Sequence, residues 1–339
     1  MKYYGTPKAA IEHLPEFINR SASAKKIKLC TSDVVLREIE STYKAGVSYL
    51  LFNDERFSAL LKKIDNFPPV LTYKGNVDLM NRKIVGIVGS RNCSISGKQI
   101  TTKLANDFLA AKIVVCSGLA RGIDAAAHKA SLPNTIGVIA GGIGNIYPPE
   151  NHQLYSEIAE SGVIISELPI TTSPLARHFP QRNRIIAGLS HAIVIIEASL
   201  SSGSLITANF GIDNNREIFA CPGFPLDPRC QGSNKLIKEG AQLLESSNDV
   251  IEYISHIHNE AMEETSNVKY APIYKNVDES LINESSRMVV LSMLSNMPIS
   301  LEEIAKETDL PFAIIITILL ELELEGKITS SGTRYILNY

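Results

Sequence analysis

The sequence lacks the features that mark membrane, secreted and metal-binding proteins. Among its 339 residues, no apolar run approaches the roughly 20 needed to cross a bilayer, and residues 1–20 contain no signal-peptide core. Its five cysteines form neither a Cys-x-x-Cys pair nor a cluster with histidine at metal-ligand spacing. We therefore expect a reduced, cytoplasmic protein with buried free cysteines, no metal and no membrane partner.

An excess of positive charge is also absent. The formal net charge is -3, which argues weakly against nucleic acid as a ligand. The acidic excess lies at the end of the chain, because residues 281–339 carry 4 Lys and Arg against 8 Asp and Glu, whereas residues 67–255 carry 16 against 15. The central part is near neutral, so its arginines can form a local positive surface.

The order of apolar segments predicts the fold class. From Lys83 onward, short apolar strands alternate with helical segments, which predicts an α/β fold with βαβ units on a mostly parallel sheet. We expect a helix over Asn53–Ile64 and the last strand at Glu217–Ala220. The expected domains are a partial N-terminal helical segment (1–30), the α/β domain (31–255), a polar linker that lacks apolar periodicity (256–281) and a C-terminal winged-helix domain (282–339).

Two segments outside the α/β domain carry expectations of their own. Pro7–Asn19 is expected to be one short helix, which alone cannot bury an apolar face. The third helix of the winged-helix domain, Ala313–Leu324, is apolar and acidic and offers no Arg, Lys, Asn or Gln for base edges. This composition favours a protein contact over binding to a DNA duplex.

An arginine-rich segment is the clearest candidate site. Residues 177–184 contain three arginines and a histidine around Phe179, and a buried-strand pattern and the turn Ser202-Gly203-Ser204 follow. Arginines and backbone N–H groups bind phosphate, and an aromatic ring can stack on a base. The segment predicts an anion-binding edge for a mononucleotide, a dinucleotide or a nucleic-acid backbone.

Two earlier turns repeat this design. Gly89–Ser94 and Ser117–Asp124 each follow a strand, combine small residues with an arginine, and open a helix. We expect Asp124 to be a helix N-cap and His128 to make a structural hydrogen bond rather than to act in catalysis. Neither turn is a Walker loop or a G-x-G-x-x-G dinucleotide motif. By themselves, the turns are equally consistent with plain strand–helix connections.

These turns belong to a longer series of motifs in a fixed order. The series is Gly86-Ile87-Val88-Gly89-Ser90-Arg91, Ser117-Gly118-Leu119-Ala120-Arg121-Gly122-Ile123-Asp124, Tyr147-Pro148-Pro149-Glu150-Asn151, Ser166-Glu167, Phe179-Pro180-Gln181-Arg182-Asn183-Arg184-Ile185-Ile186-Ala187-Gly188-Leu189-Ser190, Ser202-Gly203-Ser204-Leu205-Ile206-Thr207 and Pro222-Gly223. In this order the chain resembles the DprA/Smf family of bacterial DNA-processing proteins, over about residues 30–255 and in its winged-helix tail.

The resemblance implies a function and partners. It implies an extended Rossmann-like domain that binds single-stranded DNA without cutting it, protects incoming DNA, and loads the RecA recombinase in natural transformation and recombination. It also implies a homodimer formed through that domain, and we expect no cofactor and no enzymatic activity. The DNA contacts carried over to this sequence are Gly89, Ser90, Arg91, Ser94, Arg121, Phe179, Arg182, Asn183, Arg184, Ser202, Gly203, Ser204, Thr207, Asn234, Lys235 and Lys238.

One enzymatic alternative stays open. The same Rossmann subtype resembles nucleotide phosphoribohydrolases, which carry a Pro-Gly-Gly-x-Gly-Thr-x-x-Glu loop with a catalytic glutamate. The corresponding turn here, Ser202–Asn209, contains no glutamate and no second glycine. The missing carboxylate disfavours hydrolysis, since the reaction needs an acid or base at that place.

Overall fold

The chain forms two compact units, Met1–Ala261 and Met262–Tyr339. The computed structural model describes residues 8–9, 11–13, 30–267, 284–295, 299–308, 310, 314–315, 318–319, 321–322, 325, 327–331 and 334–337. Within these residues, no helix is both long enough and apolar enough to span a membrane.

The first unit is built on a nine-stranded sheet in the order β1-β2-β6-β5-β4-β3-β7-β8-β9. Strands β3 to β9 run parallel to their neighbours, whereas β2 pairs antiparallel with β1 and with β6. The strands are β1 (Ser48–Leu51), β2 (Val70–Gly75), β3 (Ile84–Val88), β4 (Val114–Ser117), β5 (Thr135–Val138), β6 (Val163–Ser166), β7 (Ala192–Ile195), β8 (Glu217–Ala220) and β9 (Gln242–Leu243).

Helices connect the strands as the sequence pattern predicts. Those described in full are α1 (Ser32–Lys44), α2 (Ile95–Ala110), α3 (Ile123–Ser131), α4 (His152–Ser161), α5 (His178–Leu189), α6 (Gly203–Asp213), α7 (Gln231–Lys238) and α8 (Ser247–Asn267). The α/β class and the mostly parallel sheet are therefore confirmed.

Strand β3 is continuously hydrophobic because its side chains are buried on both faces of the sheet. Val85 and Ile87 belong to one buried cluster, in which Phe108 of α2 also lies. Ile84 and Val88 belong to another, with residues of α5 and α6. Because successive side chains of a strand point to opposite faces, both faces of the sheet are covered.

The segment Asn53–Ile64 is not the helix that its spacing predicts. It folds as turns and ends in a short 3-10 helix at Leu61–Lys63. The carboxylate of Asp54 accepts hydrogen bonds from the backbone N–H and the guanidinium of Arg56, so it competes with helical hydrogen bonds at the start of the segment. Phe57, Leu61 and Ile64 are buried all the same.

Two further boundaries differ from the sequence prediction. Glu217–Ala220 is not the last strand, because the two-residue β9 pairs with it in parallel. The expected linker also begins as a helix, since α8 continues from the α/β domain to Asn267. Good helix-forming residues, such as Glu260 and Ala261, extend this helix where no apolar pattern signals it.

The second unit contains helices α9 (Glu284–Met293) and α10 (Leu301–Thr308) and a three-stranded antiparallel sheet. Its strands are β10 (Ile299–Ser300), β11 (Ile328–Ser331) and β12 (Arg334–Leu337), in the order β10-β12-β11. Residues 314–315, 318–319 and 321–322 of the expected third helix are helical, and its other residues lie outside the described part. Residues 8–9 and 11–13 are helical, while the rest of the expected N-terminal helix lies outside it too.

Candidate functional site

A cleft of about 490 Å³ lies beyond the carboxyl ends of β3 and β7. These two neighbouring strands meet where the strand order of the sheet reverses, which is the usual place for a ligand in an open α/β sheet. The cleft brings together ten of the sixteen predicted contacts, namely Gly89, Ser90, Arg91, Phe179, Arg182, Asn183, Ser202, Gly203, Ser204 and Thr207.

One wall of the cleft is the turn after β3. The backbone carbonyl of Ser90 accepts the N–H of Ile123 at 3.2 Å, and its hydroxyl accepts the N–H of Asn92 at 3.2 Å. A Cβ on Gly89 would lie 2.8 Å from Ile123, so only glycine lets the turn approach α3 this closely. The turn leaves Arg91 exposed at the cleft.

The opposite wall is the start of α6. The Ser202 hydroxyl caps this helix by accepting the N–H of Ser204 at 3.3 Å, and it also bonds to the Ser204 hydroxyl at 2.7 Å. Gly203 is exposed, and a Cβ built on it meets no atom within 4 Å. The helix N-terminus therefore offers open space beside backbone donors, which suits an anion.

The guanidinium of Arg182 forms the floor and is already bound by the protein. It donates to the carbonyls of Gly118 and Val138, at the ends of β4 and β5, and to the Asn183 side chain at 3.1 Å. Asn183 in turn donates to the carbonyl of Gly203 at 3.2 Å. Arg182 thus ties two strand ends to the start of α6.

Burial changes the acid–base properties of this floor. Burial lowers the pKa of Arg182 to about 10, against the attraction of the Asp124 carboxylate, so the guanidinium stays protonated at neutral pH. Burial also raises the pKa of Asp124, although Arg182 and two backbone N–H groups oppose the change. Asp124 is not the N-cap expected of it, because that position is Gly122. Its carboxylate instead accepts the N–H groups of Gly118 and Ala120, at 3.1 and 3.4 Å.

Phe179 stands at one end of the cleft, surrounded by other side chains. The guanidinium of Arg91 lies over its ring at 5.0 Å from the centroid, and that of Arg182 lies at 6.0 Å. Tyr147 meets it edge-on, with ring centroids 5.9 Å apart and an interplanar angle of 66°. The cation–π contact orients Arg91 and leaves its outward side open to a ligand.

Three predicted contacts near the cleft do not line it, because other groups of the protein hold them. Ser94 is the N-cap of α2, and its hydroxyl donates to Glu197 at 2.5 Å. Arg121 is exposed and pairs with Glu150 at 3.6 Å. The guanidinium of Arg184 is bound to the Glu167 carboxylate and to a backbone carbonyl. On a helix, residues two apart point to nearly opposite sides, so Arg182 and Arg184 cannot serve the same surface.

The predicted contacts on α7 also lie outside the cleft. Asn234 uses its amide on the loop before α7, where it accepts the N–H of Gly223 at 3.0 Å and donates to its carbonyl at 2.9 Å. Lys235 is paired with Glu239 at 3.5 Å, and Lys238 is exposed.

Sequence reasoning missed two residues at the site. Arg229 lines the cleft from the loop after β8 and is hydrogen-bonded to Asp227. Tyr147 was noted only as part of a motif, yet its ring reaches Phe179. For Arg229, the one available signal was its position beyond the carboxyl end of a parallel strand.

His128 has a structural role, as expected, but not with Asp124. It is fully buried, and its Nδ1 bonds to the Thr135 hydroxyl at 2.6 Å. Its Nε2 has no partner. Burial, reinforced by the charge of Arg182, lowers the pKa of His128 to about 3, so the ring is neutral. Within the described part of the chain, no three His, Cys, Asp or Glu side chains are placed to hold a metal ion.

Comparison with known proteins gives the family. Residues 48–255 match the model of the DNA recombination-mediator protein A family, and residues 282–332 match that of the DprA winged helix domain. The DNA processing protein DprA of Bacillus subtilis is 40% identical over 220 residues, which are 64% of this chain and 74% of that protein. Protein Smf of Escherichia coli is 31% identical over 292 residues, which are 84% of this chain and 75% of that protein.

Solved structures agree with this result. The DNA processing protein A of Streptococcus pneumoniae matches with a TM-score of 0.60 and 34% identity, over 74% of this chain and 94% of that one. The corresponding Helicobacter pylori protein, described for its single-stranded DNA binding mode, matches with a TM-score of 0.57 and 29% identity, over 64% of this chain and 96% of that one. From the family match over most of its first unit, the winged-helix match in its second unit and relatives that are 31% and 40% identical, this chain belongs to the DNA recombination-mediator protein A family, which includes the bacterial DprA and Smf proteins.

Proposed function

We propose that this chain binds single-stranded DNA in the cleft between the turn after β3 and the start of α6. The observation that carries the proposal is that two facing loops present phosphate-binding groups across one open cleft. Gly89–Arg91 supplies a turn and a guanidinium, and Ser202–Ser204 supplies a helix N-terminus, while Arg229 at the margin is already paired with Asp227. Such groups neutralise phosphates without reading base edges, so binding is expected to be independent of sequence and dependent on salt.

The residues of the cleft divide by role. Arg91, Ser202 and Gly203 are proposed to contact phosphates, because they line the cleft and are exposed or half-buried. Ser204 is buried and would offer its backbone N–H at the start of the helix. Arg182, Asn183 and Thr207 are buried, and the first two spend their donors on backbone carbonyls or on each other. We propose that this buried group holds the two walls at their spacing.

The partners are proposed from family membership. We propose that the chain protects incoming DNA, loads the RecA recombinase onto it during natural transformation and recombination, and acts as a homodimer through its Rossmann-like unit. We also propose that the winged-helix unit contacts protein rather than DNA. In support, Arg287 of that unit is paired with Glu321 and Glu325, so its charge is not offered to a phosphate.

The phosphoribohydrolase alternative receives little support from the cleft. Asp124 is the acidic residue that lines it in the described part of the chain, and it is buried. Its carboxylate is turned to two backbone N–H groups, which leaves it poorly placed to act as a base on a bound ligand.

A titration tests the proposal. Labelled oligodeoxythymidylate is titrated with the chain at two salt concentrations, with unlabelled duplex as competitor. The proposal expects binding that weakens steeply with salt and resists the duplex. No binding, or a preference for the duplex, contradicts it. Release of free base from a nucleoside monophosphate by the wild-type chain, lost in the Ser202→Ala variant, would favour the hydrolase instead.

Loading of the recombinase needs a separate test. RecA assembly on single-stranded DNA is timed with the wild-type chain present, and the Ser202→Ala variant is the control. We expect faster RecA assembly with the wild-type chain than with the variant. Equal rates would contradict the loading role, while the proposed strand protection would stand.

A further inference from the structure

Phe179 itself has little ring surface left for a base. The ring is half-buried, Arg91 covers it at 5.0 Å, and Arg182 and Tyr147 lie beside it. A nucleobase that stacked on Phe179 would have to displace the guanidinium of Arg91. The ring therefore serves better as a support that positions Arg91 than as a platform for DNA.

Tyr147 has the free aromatic surface that Phe179 lacks. It is 47% exposed, although its ring meets Phe179 edge-on at 5.9 Å. It borders a small recess of about 20 Å³ next to the cleft, and the cleft and the recess share Arg91, Ala120 and Phe179. A phosphate held by Arg91 thus lies close to an exposed ring, on the side of the cleft away from the Ser202–Ser204 wall.

We infer that the exposed part of the Tyr147 ring stacks on an unpaired base of the bound strand, at the edge of the cleft. This inference rests on the proposed function, because it assigns the base-contacting side of the same site. The strand would run with its phosphates toward Arg91 and the start of α6 and with at least one base turned toward Tyr147. Stacking on an aromatic face is tolerant of sequence, since every base has a π-face.

The groups proposed to bind phosphates and the ring proposed to stack on a base belong to different residues, so the two contributions can be measured separately. Loss of Tyr147 removes stacking and no charge, so affinity falls while the salt dependence stays the same. Loss of a phosphate contact also weakens binding, but it flattens the salt dependence as well. The two kinds of contact can therefore be told apart in one titration series.

The sequence supplies a direct reporter, because the chain contains no tryptophan. In the Tyr147→Trp variant, the introduced indole is the sole one, and stacking on a base is expected to quench its fluorescence. The probes are oligodeoxythymidylate and an abasic oligonucleotide of the same length, which carries the same phosphates. Tyr43 is the matched control position, since it is 61% exposed and lines neither the cleft nor the recess.

The expected results are as follows. Tyr147→Ala binds oligodeoxythymidylate roughly tenfold more weakly than the wild-type chain, with an unchanged salt slope and unchanged affinity for the abasic probe. Tyr147→Phe keeps the wild-type affinity. Fluorescence of Tyr147→Trp is quenched by oligodeoxythymidylate and not by the abasic probe, while Tyr43→Trp responds to neither.

Other results would overturn the inference. If the wild-type chain binds oligodeoxythymidylate, and Tyr147→Ala binds it as tightly or Tyr147→Trp is quenched equally by both probes, the stacking role fails and the proposed function stands. If the wild-type chain does not bind single-stranded DNA, both fail. Should Tyr147→Ala not fold, the fluorescence of Tyr147→Trp with the two probes decides the question, because that variant keeps an aromatic ring against Phe179.

Discussion

The assignment of Arg182 to the protein rather than to DNA gives a sharp prediction. In Arg182→Met, a side chain of similar length replaces the guanidinium and leaves the carbonyls of Gly118 and Val138 without their donor. A buried polar group that loses its partner costs about 1–3 kcal/mol, so two such groups cost about 2–6 kcal/mol of unfolding free energy. Arg182→Lys keeps the charge but cannot reproduce the planar fork, and we expect an intermediate loss.

The assay pairs stability with DNA binding. Urea unfolding at pH 7 gives the loss of stability for both variants, and titration of oligodeoxythymidylate at several salt concentrations gives the number of phosphates neutralised. We expect a large loss of stability and an unchanged salt slope for whatever fraction of Arg182→Met is folded. A loss of stability below about 1 kcal/mol, together with a salt slope flatter by about 0.7, would refute the reasoning and make Arg182 a direct phosphate contact.

Three other expectations follow from the site and its surroundings. Arg91→Ala should flatten the salt slope for single-stranded DNA by about 0.7 and weaken binding about fivefold at 0.1 M salt. Arg184→Ala should leave the slope unchanged, because the Arg184 side chain is bound to Glu167. Equal slopes for the two variants would contradict this expectation. The pKa of His128 is about 3 in the folded chain and about 6.5 in the unfolded chain, so the unfolded state binds more protons below pH 6.5 and the chain loses stability as pH falls below that value. Between pH 7 and pH 5, urea unfolding should show that the wild-type chain loses about 2 kcal/mol more unfolding free energy than His128→Gln. Equal losses in the two proteins would contradict this expectation. Deletion of residues 282–339 should leave affinity for single-stranded DNA within about twofold, and a large loss in the same titration would place DNA contacts in the winged-helix unit.

The strands were the most predictable part of the fold. Glu217–Ala220 has the predicted bounds, because the short apolar run Ile218-Phe219-Ala220 has few ways to be buried other than as a strand of the sheet. Asn53–Ile64 was not predictable in the same way. Its apolar spacing fits a helix, yet turns bury the same side chains against α5. That packing depends on a helix far away in the sequence, so the local pattern does not show it.

The sequence predicts which loops form the candidate site, but it does not predict which of the arginines are free to bind a ligand. The turns after β3 and β7 meet because parallel strands bring their carboxyl ends to one edge of the sheet. Which arginine faces the ligand depends on partners far away in sequence. Glu167 neutralises Arg184, and strand-end carbonyls hold Arg182, whereas Arg91 rests on Phe179 and stays available. Local sequence shows three equivalent arginines, and only the packed structure distinguishes them.

The contact between Gly118 and Arg182 has a consequence for how this chain can change over time. A Cβ at position 118 would lie 2.5 Å from both terminal nitrogens of the guanidinium, so any larger residue there must push the arginine off its carbonyls. A substitution at either position therefore changes which residues the other position can accept. A smaller side chain at 182 would make room at 118, while either change alone loses the tie between the strand ends, so their effects on stability should not add.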